Sequence, residues 1–238
     1  MASAWCHRHD NPPFTPAGIL LRSRLTVSAI VAAFVALAAV AAIDGGALLL
    51  VWDEPVQGWV ESHRTATLDR FFLFMSRLGS TAAVVIGLAT LLALTWRRCR
   101  PLFVVVLMAM TARPVLEWTL KVIIDRDRPD LDRLVGVHGP SFPSGHAMAA
   151  IALFGLVPPV VALLTHRRVW WWVATVTSGL VALLVAASRV YLGVHWLSDV
   201  VGTLLLGSLF LVVVELILDV AHGGRVRTPA STVGGQRP

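Results

Sequence analysis

Two of the histidines stand where their neighbours could make them reactive. His195 is followed four residues later by Asp199, and His146 ends the string Pro-Ser-Gly-His at 143–146. Residues four apart share one face of a helix, so the carboxylate of Asp199 can hold one ring nitrogen of His195 and aim the other. A histidine held in this way can attack phosphorus as a nucleophile.

Cations accompany these histidines along the chain. Lys121, Arg128 and Arg189 occur in the same connections between apolar runs. A phosphoryl group in transfer spreads negative charge over its oxygens, so a site for it needs fixed cations and amide donors. Ser144 and Gly145 open an apolar run, which predicts a helix start with Ser144 as its N-cap. Free amides at the positive end of a helix bind phosphate, and the pattern therefore indicates an anion site.

A second group of charges recurs every four residues before the first of these cations. Arg113, Glu117 and Lys121 therefore share one helix face. Charges within a span are costly and usually face the interior of the bundle. Two interpretations stay open: Glu117 supports the site by holding Arg113 or Lys121, or it forms an ion pair that only neutralises the charges.

Three motifs, taken in order, resemble a known signature. They are K-x6-RP at Lys121 to Pro129, PSGH at 143–146 and SR-x5-H-x3-D at Ser188 to Asp199. This signature is similar to that of the type 2 phosphatidic acid phosphatase family, also called lipid phosphate phosphatases. The resemblance implies that His195 is the nucleophile and that His146 protonates the leaving oxygen and then activates water. No metal ion or other cofactor is expected, because three cations and a helix start already neutralise the phosphate.

The composition predicts the elements that must position these residues. Of the 238 residues, 56% are hydrophobic and 14% are charged, which is too apolar for an ordinary soluble domain. Six apolar runs approach the roughly 20 residues that a helix needs to cross a bilayer; they are 25–43, 79–96, 101–120, 147–165, 169–187 and 200–218. The segment from Pro55 to Leu78 mixes aromatic and charged residues, as an interfacial helix does. The predicted fold is an all-α bundle of six transmembrane helices, with an interfacial helix between spans one and two.

The arginines predict the orientation of this bundle. They cluster at alternate ends of the runs, as at Arg22, Arg24, Arg97, Arg98, Arg100, Arg167, Arg168, Arg225 and Arg227. Basic residues near span ends favour the cytoplasmic side, so both termini are expected there and the motifs outside, at the cell membrane. The predicted organisation is a cytoplasmic segment 1–24, a six-span phosphatase domain 25–222 and a disordered cytoplasmic tail 223–238.

Other functions compete for some of the same residues. An aspartate-rich metal site of a prenyl or phosphatidyl transferase would use the four carboxylates at Asp125, Asp127, Asp130 and Asp132. The intervening arginines, and the lack of a second aspartate cluster in another span, weigh against it. A transporter or channel would use intramembrane charges such as Glu117 and Glu215, but no inverted repeat is visible. The pocket also resembles that of vanadium haloperoxidases, which are soluble.

Several polar residues near the motifs receive a plainer interpretation. His63 and His138 are expected to be solvated side chains, since their neighbours follow no pattern. Arg126 and Arg133 are expected to anchor lipid headgroups.

The expected partners are a lipid phosphate substrate and membrane lipids. The net charge of +6 is explained by membrane orientation, so no nucleic acid is expected. The resemblance to the bacterial branch implies polyprenyl diphosphates, phosphatidic acid or phosphatidylglycerol phosphate as substrates. A polyprenyl diphosphate is favoured because recycling of this carrier requires an extracytoplasmic phosphatase. The sequence predicts no oligomeric state.

Overall fold

The computed structural model describes residues 47–130 and 132–221. The predicted span 25–43, the N-terminal segment and the tail lie outside these residues. Within them the chain is helical and contains no strand. The helices, numbered here in chain order, are α1 Ala47–Ser62, α2 Ala66–Leu78, α3 Thr81–Thr95, α4 Arg100–Ile124, α5 Gly145–Gly155, α6 Val157–Thr165, α7 Arg168–Tyr191 and α8 Leu197–Ala221.

Local sequence signals set the starts of several helices. The hydroxyl of Thr65 accepts a hydrogen bond from the amide of Leu68 at 3.3 Å and caps α2. Ser80 does the same for α3, with the amide of Ala83 at 3.4 Å. These side chains satisfy amides that have no partner within the first turn of a helix.

The helices confirm a protein that crosses the membrane several times. Four segments of the described chain are long and apolar enough to span a bilayer: Arg100–Ile124, Gly145–Thr165, Arg168–Tyr191 and Leu197–Glu215. The predicted span 79–96 contains only α3, which has 15 residues. With α2 it forms a pair bent by 46° that can count as one further span. Six crossings would also need the predicted first span.

The bend between α2 and α3 lies where the chain contacts two other helices. A Cβ atom on Gly79 would lie 2.7 Å from Cγ1 of Val185 in α7 and 3.0 Å from the carbonyl oxygen of His146 in α5. Only glycine fits this approach without a shift of its neighbours. Gly79 therefore brings the α2–α3 break against the start of α5.

α5 occupies the centre of the described bundle. Its residues Ala147, Met148, Ala149 and Ala150 are all buried, and the helix packs against α3, α4, α7 and α8. Small side chains allow this close approach of helices within a membrane. The PSGH segment consequently sits where several helix ends meet.

The segment predicted as one interfacial helix, Pro55 to Leu78, contains the end of α1 and all of α2. The break at residues 63–65 and the earlier start of α1 were not predicted. α1 also contributes two buried polar residues, Asp53 and Gln57, which face the start of α8. These bonds show that α1 packs against the bundle, while the interfacial position of the segment stays a prediction.

Candidate active site

The first and third motifs meet around the ring of His195. Nη1 of Arg128 lies 3.3 Å from Nε2 of His195 and donates to the carbonyl of Val194 at 2.6 Å. His195 lies in the turn before α8, since that helix begins at Leu197. The predicted shared helix face is therefore replaced by a turn that still brings Nδ1 of His195 to 3.7 Å from Oδ2 of Asp199.

The neighbours of His195 indicate its tautomer. A guanidinium group can only donate, so Nε2 beside Arg128 is the acceptor and carries a lone pair. The proton then sits on Nδ1, which faces the hydroxyl of Ser141 at 3.4 Å and the carboxylate of Asp199. This is the tautomer that a nucleophilic Nε2 requires.

Asp199 is fully buried and held on both oxygens. Oδ1 accepts a hydrogen bond from Nη1 of Arg126 at 2.6 Å. Oδ2 receives the amide of Trp196 at 3.0 Å and the hydroxyl of Ser141. The carboxylate cannot rotate without breaking these bonds, so its position relative to His195 is fixed.

Burial and nearby charges keep His195 neutral. Burial lowers the pKa of the His195 imidazole to about 4, and Arg128 and Arg189 act in the same direction, while Asp199 opposes them. Burial also lowers the pKa of the Arg128 guanidinium, although that group stays charged. At neutral pH the site therefore combines an uncharged imidazole with fixed cations.

Lys121 and Arg128 converge on one loop. Nζ of Lys121 donates to the carbonyl of Pro140 at 3.1 Å, and Nη2 of Arg128 donates to the same oxygen at 3.0 Å. Nε of Arg128 also donates to the carbonyl of Gly139 at 2.8 Å. Two of the three predicted phosphate-binding cations are thus brought to the same carbonyl oxygen.

Two buried donors at this site lack partners among the described residues. Arg189 is 3% exposed; one end donates to the hydroxyl of Ser76, while its Nε has no partner. The hydroxyl of Ser144 is buried and also without a partner. A buried unsatisfied polar group costs about 1–3 kcal/mol, and an anion that accepted hydrogen bonds from these two donors would remove that cost.

Ser144 occupies the N-cap position of α5 but does not cap it. The side chain makes no capping bond, whereas the backbone amide donates to the hydroxyl of Thr203 at 2.9 Å. The predicted position is confirmed and the predicted side-chain cap is wrong, because the Ser144 hydroxyl has no hydrogen-bond partner among the described residues; Thr203 of α8 instead holds the backbone of this turn. The Ser144 hydroxyl is left available to an anion.

His146 lies in the first turn of α5 and is half-buried. It is within the electrostatic range of Arg189, His195 and Arg113. Among the residues that the structure describes, its ring has no hydrogen-bond partner. This histidine is therefore near the same cations as His195 but is not fixed by them.

Glu117 packs against the start of α5. Its Oε2 pairs with Nη1 of Arg113 at 2.8 Å, and its Oε1 lies 4.0 Å from Nζ of Lys121. A Cβ atom on Gly145 would clash with that Oε1. The predicted ion pair with Arg113 is present, and it faces the motif residues, which favours the interpretation as a support network.

Comparison with known proteins agrees with this arrangement. The family model of the PAP2 superfamily matches residues 74–220, more than half of the chain. The chain belongs to the PAP2 superfamily. The predicted family resemblance is thereby confirmed.

Named PAP2 relatives and a PAP2 crystal structure give the family context. Phosphatidylglycerophosphatase B of Bacillus subtilis (strain 168) is 40% identical over 106 residues, which are 42% of this chain and 50% of the relative. This chain therefore spans about half the length of that relative. Undecaprenyl-diphosphatase of Sulfolobus acidocaldarius is 31% identical over 155 residues, 63% of this chain and 70% of the relative. The crystal structure of a transmembrane PAP2 type phosphatidylglycerolphosphate phosphatase from Bacillus subtilis superimposes with a TM-score of 0.69 and 27% identity, covering 79% of this chain and 94% of that one.

The carboxylates of the aspartate-rich segment are not gathered into a cluster of metal ligands within the described residues. No group of three or more His, Cys, Asp or Glu residues within 47–130 and 132–221 is arranged to hold a metal ion. The oxygen ligands that the transferase alternative needs therefore do not converge in this part of the chain.

Two of the plainer interpretations hold and one is wrong. His63 and His138 are exposed, as predicted. Arg133 is also exposed and donates to the carbonyl of Pro129 at 2.6 Å. Arg126, predicted to anchor headgroups, is instead only 11% exposed in its side chain and pairs with Asp199.

Sequence reasoning also missed several polar contacts of the site: Asp53, Gln57, Ser76, Ser141 and Ser198. The sequence did contain a signal that Arg126 faces the site. Residues two apart in an extended segment point to the same side, and Arg126 is two residues before Arg128. Asp53 carried no comparable signal, since it is 73 residues from Arg126.

Proposed function

We propose that this PAP2 protein is an integral membrane phosphatase that removes phosphate from a lipid through a phosphohistidine intermediate on His195. The observation that carries the proposal is the pair of buried, unpartnered donors, Arg189 Nε and Ser144 Oγ, beside a neutral histidine with its lone pair on Nε2. A phosphate group would supply the missing acceptors. The relatives named as phosphatases support the reaction class.

In the first half of the reaction, Nε2 of His195 attacks phosphorus. The N–P bond forms while the bond from phosphorus to the leaving oxygen breaks, and His146 donates a proton to that oxygen. Lys121, Arg128 and Arg189 stabilise the charge that develops on the phosphoryl oxygens. Asp199 stabilises the positive charge that the imidazole acquires.

In the second half, water replaces the leaving group. His146, now deprotonated, takes a proton from this water as its oxygen attacks phosphorus. The N–P bond breaks, inorganic phosphate leaves, and His195 returns to its neutral form. A lipid monoester would leave an alcohol in the first half, and a diphosphate would leave a lipid monophosphate.

An apolar groove supports a lipid substrate. It has a volume of about 600 Å³ and lies between α1, α2, α7 and α8, within the size range of ligand pockets. Val190 and Val200 line it, and each directly follows a motif residue, Arg189 or Asp199. We propose that this groove holds the hydrocarbon chain while the phosphate lies among the cations.

Filling the groove tests this placement. Val201 lines the groove and is 41% exposed, so Val201→Trp should raise KM for a long-chain lipid phosphate but not for a short, water-soluble ester. Val213 is 47% exposed on the same helix but does not line the groove, and Val213→Trp is the matched control. An equal effect of both variants, or a raised KM for the short ester, would argue against the groove.

Within this class we favour a polyprenyl diphosphate, with phosphatidylglycerol phosphate or phosphatidic acid as the alternatives. Among the two sequence relatives, undecaprenyl-diphosphatase is matched over the larger share of both chains, which supports the diphosphate, whereas the phosphatidylglycerolphosphate phosphatase structure is matched over 79% of this chain and supports the first alternative. Phosphate release from the three lipids by purified protein in detergent would rank them by kcat/KM. A clear preference for phosphatidylglycerol phosphate would reverse the order.

We further propose six membrane crossings with both termini in the cytoplasm. The count comprises residues 25–43, the bent pair α2–α3, α4, α5–α6, α7 and α8. The catalytic residues then lie outside, and α1 lies at the outer interface, where Trp52 and Trp59 are exposed at 73% and 62% as in an aromatic belt.

The reaction class is tested most simply by phosphate release in the presence of a chelator. Activity should persist, vanadate should inhibit by occupying the phosphate site, and Arg189→Gln should lower kcat about 100-fold to 1,000-fold. Arg70 is exposed at α2, so Arg70→Gln is the matched control and should retain activity. A strict magnesium requirement would instead support the metal-dependent transferase.

A further inference from the structure

Arg126 joins two buried carboxylates that come from distant parts of the chain. Its Nη1 lies 2.6 Å from Oδ1 of Asp199, and its Nη2 lies 2.8 Å from Oδ2 of Asp53. Both carboxylates have no exposed side-chain surface. The guanidinium group of Arg126, in the connection between α4 and α5, therefore links α1 to the start of α8.

Asp53 is itself fixed by the first turn of α8. Its Oδ1 accepts the amide of Ser198 at 2.8 Å, and its Oδ2 accepts the Ser198 hydroxyl. That hydroxyl also accepts Nη1 of Arg126 at 2.7 Å. Asp53, Arg126 and Ser198 thus form a closed hydrogen-bonded ring on the side of Asp199 away from His195.

The backbone of Arg126 reaches the other oxygen of Asp199. Its carbonyl accepts the amide of Ser141 at 2.7 Å, and the Ser141 hydroxyl donates to Oδ2. Arg126 therefore acts on both oxygens of Asp199, on one directly and on the other through Ser141. Removing either contact would let the carboxylate rotate away from Nδ1 of His195.

We propose that Asp53 and Arg126 are positioning residues that orient Asp199 and, through it, the reactive nitrogen of His195. The inference rests on the proposed phosphatase function but adds Asp53, which lies outside the three motifs, and Arg126, which occupies a variable position of the first motif. Placing two buried carboxylates on one arginine is costly, and an apolar replacement often stabilises a fold as well. The arrangement is thus explained better by the geometry it imposes on Asp199 than by stability.

Asp53→Asn tests the proposal, because it keeps the size of the side chain and removes its charge. We expect kcat for phosphate release to fall roughly 100-fold, the order of loss caused by a misplacement of about 1 Å. KM and the inhibition constant of vanadate should stay unchanged, since neither residue contacts the phosphate cations. Glu54→Gln is the matched control: Glu54 is adjacent on α1 but exposed, and its loss should leave kcat unchanged.

A double-mutant cycle separates positioning from a general loss of structure. If Asp53 acts through Asp199, adding Asp53→Asn to an Asp199→Asn protein should lower kcat by less than about threefold. The effects of coupled residues are not additive. A full 100-fold loss in that background, or a loss expressed in KM and vanadate inhibition, would overturn the proposal.

Chemical rescue tests Arg126 even if its variants are less stable. Arg126→Ala should lose activity and regain at least tenfold in kcat with added guanidinium, which can refill the space between the two carboxylates. Arg70→Ala should be insensitive to guanidinium. Absence of rescue in a protein that still binds vanadate would contradict the role of Arg126. Inactive parent protein would instead refute the proposed function, so the two failures are distinguishable.

Discussion

The two histidines of the site differ in how firmly the protein holds them. His195 is 3% exposed; its backbone carbonyl accepts Nε2 of Gln57 at 2.7 Å, and its ring lies between Asp199 and Arg128. His146 is half-buried, and its ring has no hydrogen-bond partner within the described part of the chain. One histidine is fixed in a single orientation, and the other is positioned mainly by its place on α5.

This difference matches what the two halves of the proposed reaction require. A nucleophile must approach phosphorus along one line, so a fixed ring with its lone pair on Nε2 lowers the entropic part of the barrier. An acid and base must reach first a lipid oxygen and then a water molecule, and a ring without fixed partners can serve both. The comparison therefore explains why the orienting carboxylate accompanies only His195.

Loss of the carboxylate that orients His195 should have the largest effect on activity. Asp199→Asn preserves the shape of the side chain but removes the charge that stabilises the imidazolium. We expect kcat to fall by about 10,000-fold, as when the orienting carboxylate of a catalytic histidine is lost. Asp127→Asn changes an exposed carboxylate in the connection between α4 and α5 and should have no effect. Steady-state phosphate release measures both, and a loss below tenfold in Asp199→Asn would mean that His195 does not depend on Asp199.

Removing His146 should have a smaller effect that depends on the leaving group. His146→Ala should slow the release of a lipid alkoxide roughly 100-fold to 10,000-fold, the usual contribution of a positioned general acid. An activated aryl phosphate needs no proton on its leaving oxygen, so phosphorylation of His195 by it should be largely spared. Rapid quench with both substrates measures this contrast. His138→Ala is the control, because His138 is an exposed histidine near the same motif; equal losses for both substrates would refute the assigned role.

The protonation of His195 should occur at an unusually low pH. Burial lowers the pKa of this histidine to about 4, so it stays neutral and nucleophilic as the pH falls from 8 to 5 and is protonated only near pH 4. The unfolded chain binds this proton at higher pH, so folding stability should decline below about pH 6.5. Ring nitrogen shifts in protein labelled at histidine, assigned with His195→Gln, can follow the titration. Protonation of His195 near pH 6.5 would contradict the buried, cation-flanked site.

Much of this site could be predicted because the motifs keep their functional residues close together in sequence. Lys121 and Arg128 are seven residues apart, and His195 and Asp199 are four apart, so helix and turn geometry alone brings each pair near. The apolar runs likewise predicted α4, α7 and α8 within a few residues at each end.

The remainder depends on tertiary contacts that no local pattern records. Asp53 accepts the amide of Ser198, which is 145 residues away, and the hydroxyl of Thr203 accepts the amide of Ser144, which is 59 residues away. The break between α5 and α6 follows from Pro158 and Pro159, which cannot donate backbone hydrogen bonds within a helix. The motif residues thus predict the chemistry, while their support comes from the fold.

Cysteine substitutions that report the orientation of the protein in the membrane should have the smallest effect and leave activity intact. Asp127→Cys lies in the proposed outer connection and Arg97→Cys between α3 and α4; both positions are exposed. In intact cells an impermeant thiol reagent should label Asp127→Cys above the parent chain but not Arg97→Cys. The opposite pattern would invert the proposed topology and place both histidines in the cytoplasm.

Trapping the phosphorylated enzyme tests directly whether the reaction passes through a phosphohistidine on His195. Protein mixed with lipid carrying a labelled phosphate and quenched in base within one turnover should retain label on His195, since a phosphoramidate survives base but not acid. His146→Ala should accumulate this label from an aryl phosphate, because the second half of the reaction lacks its base. His195→Ala should carry none. Label on another residue, or label that persists in His195→Ala, would contradict the account.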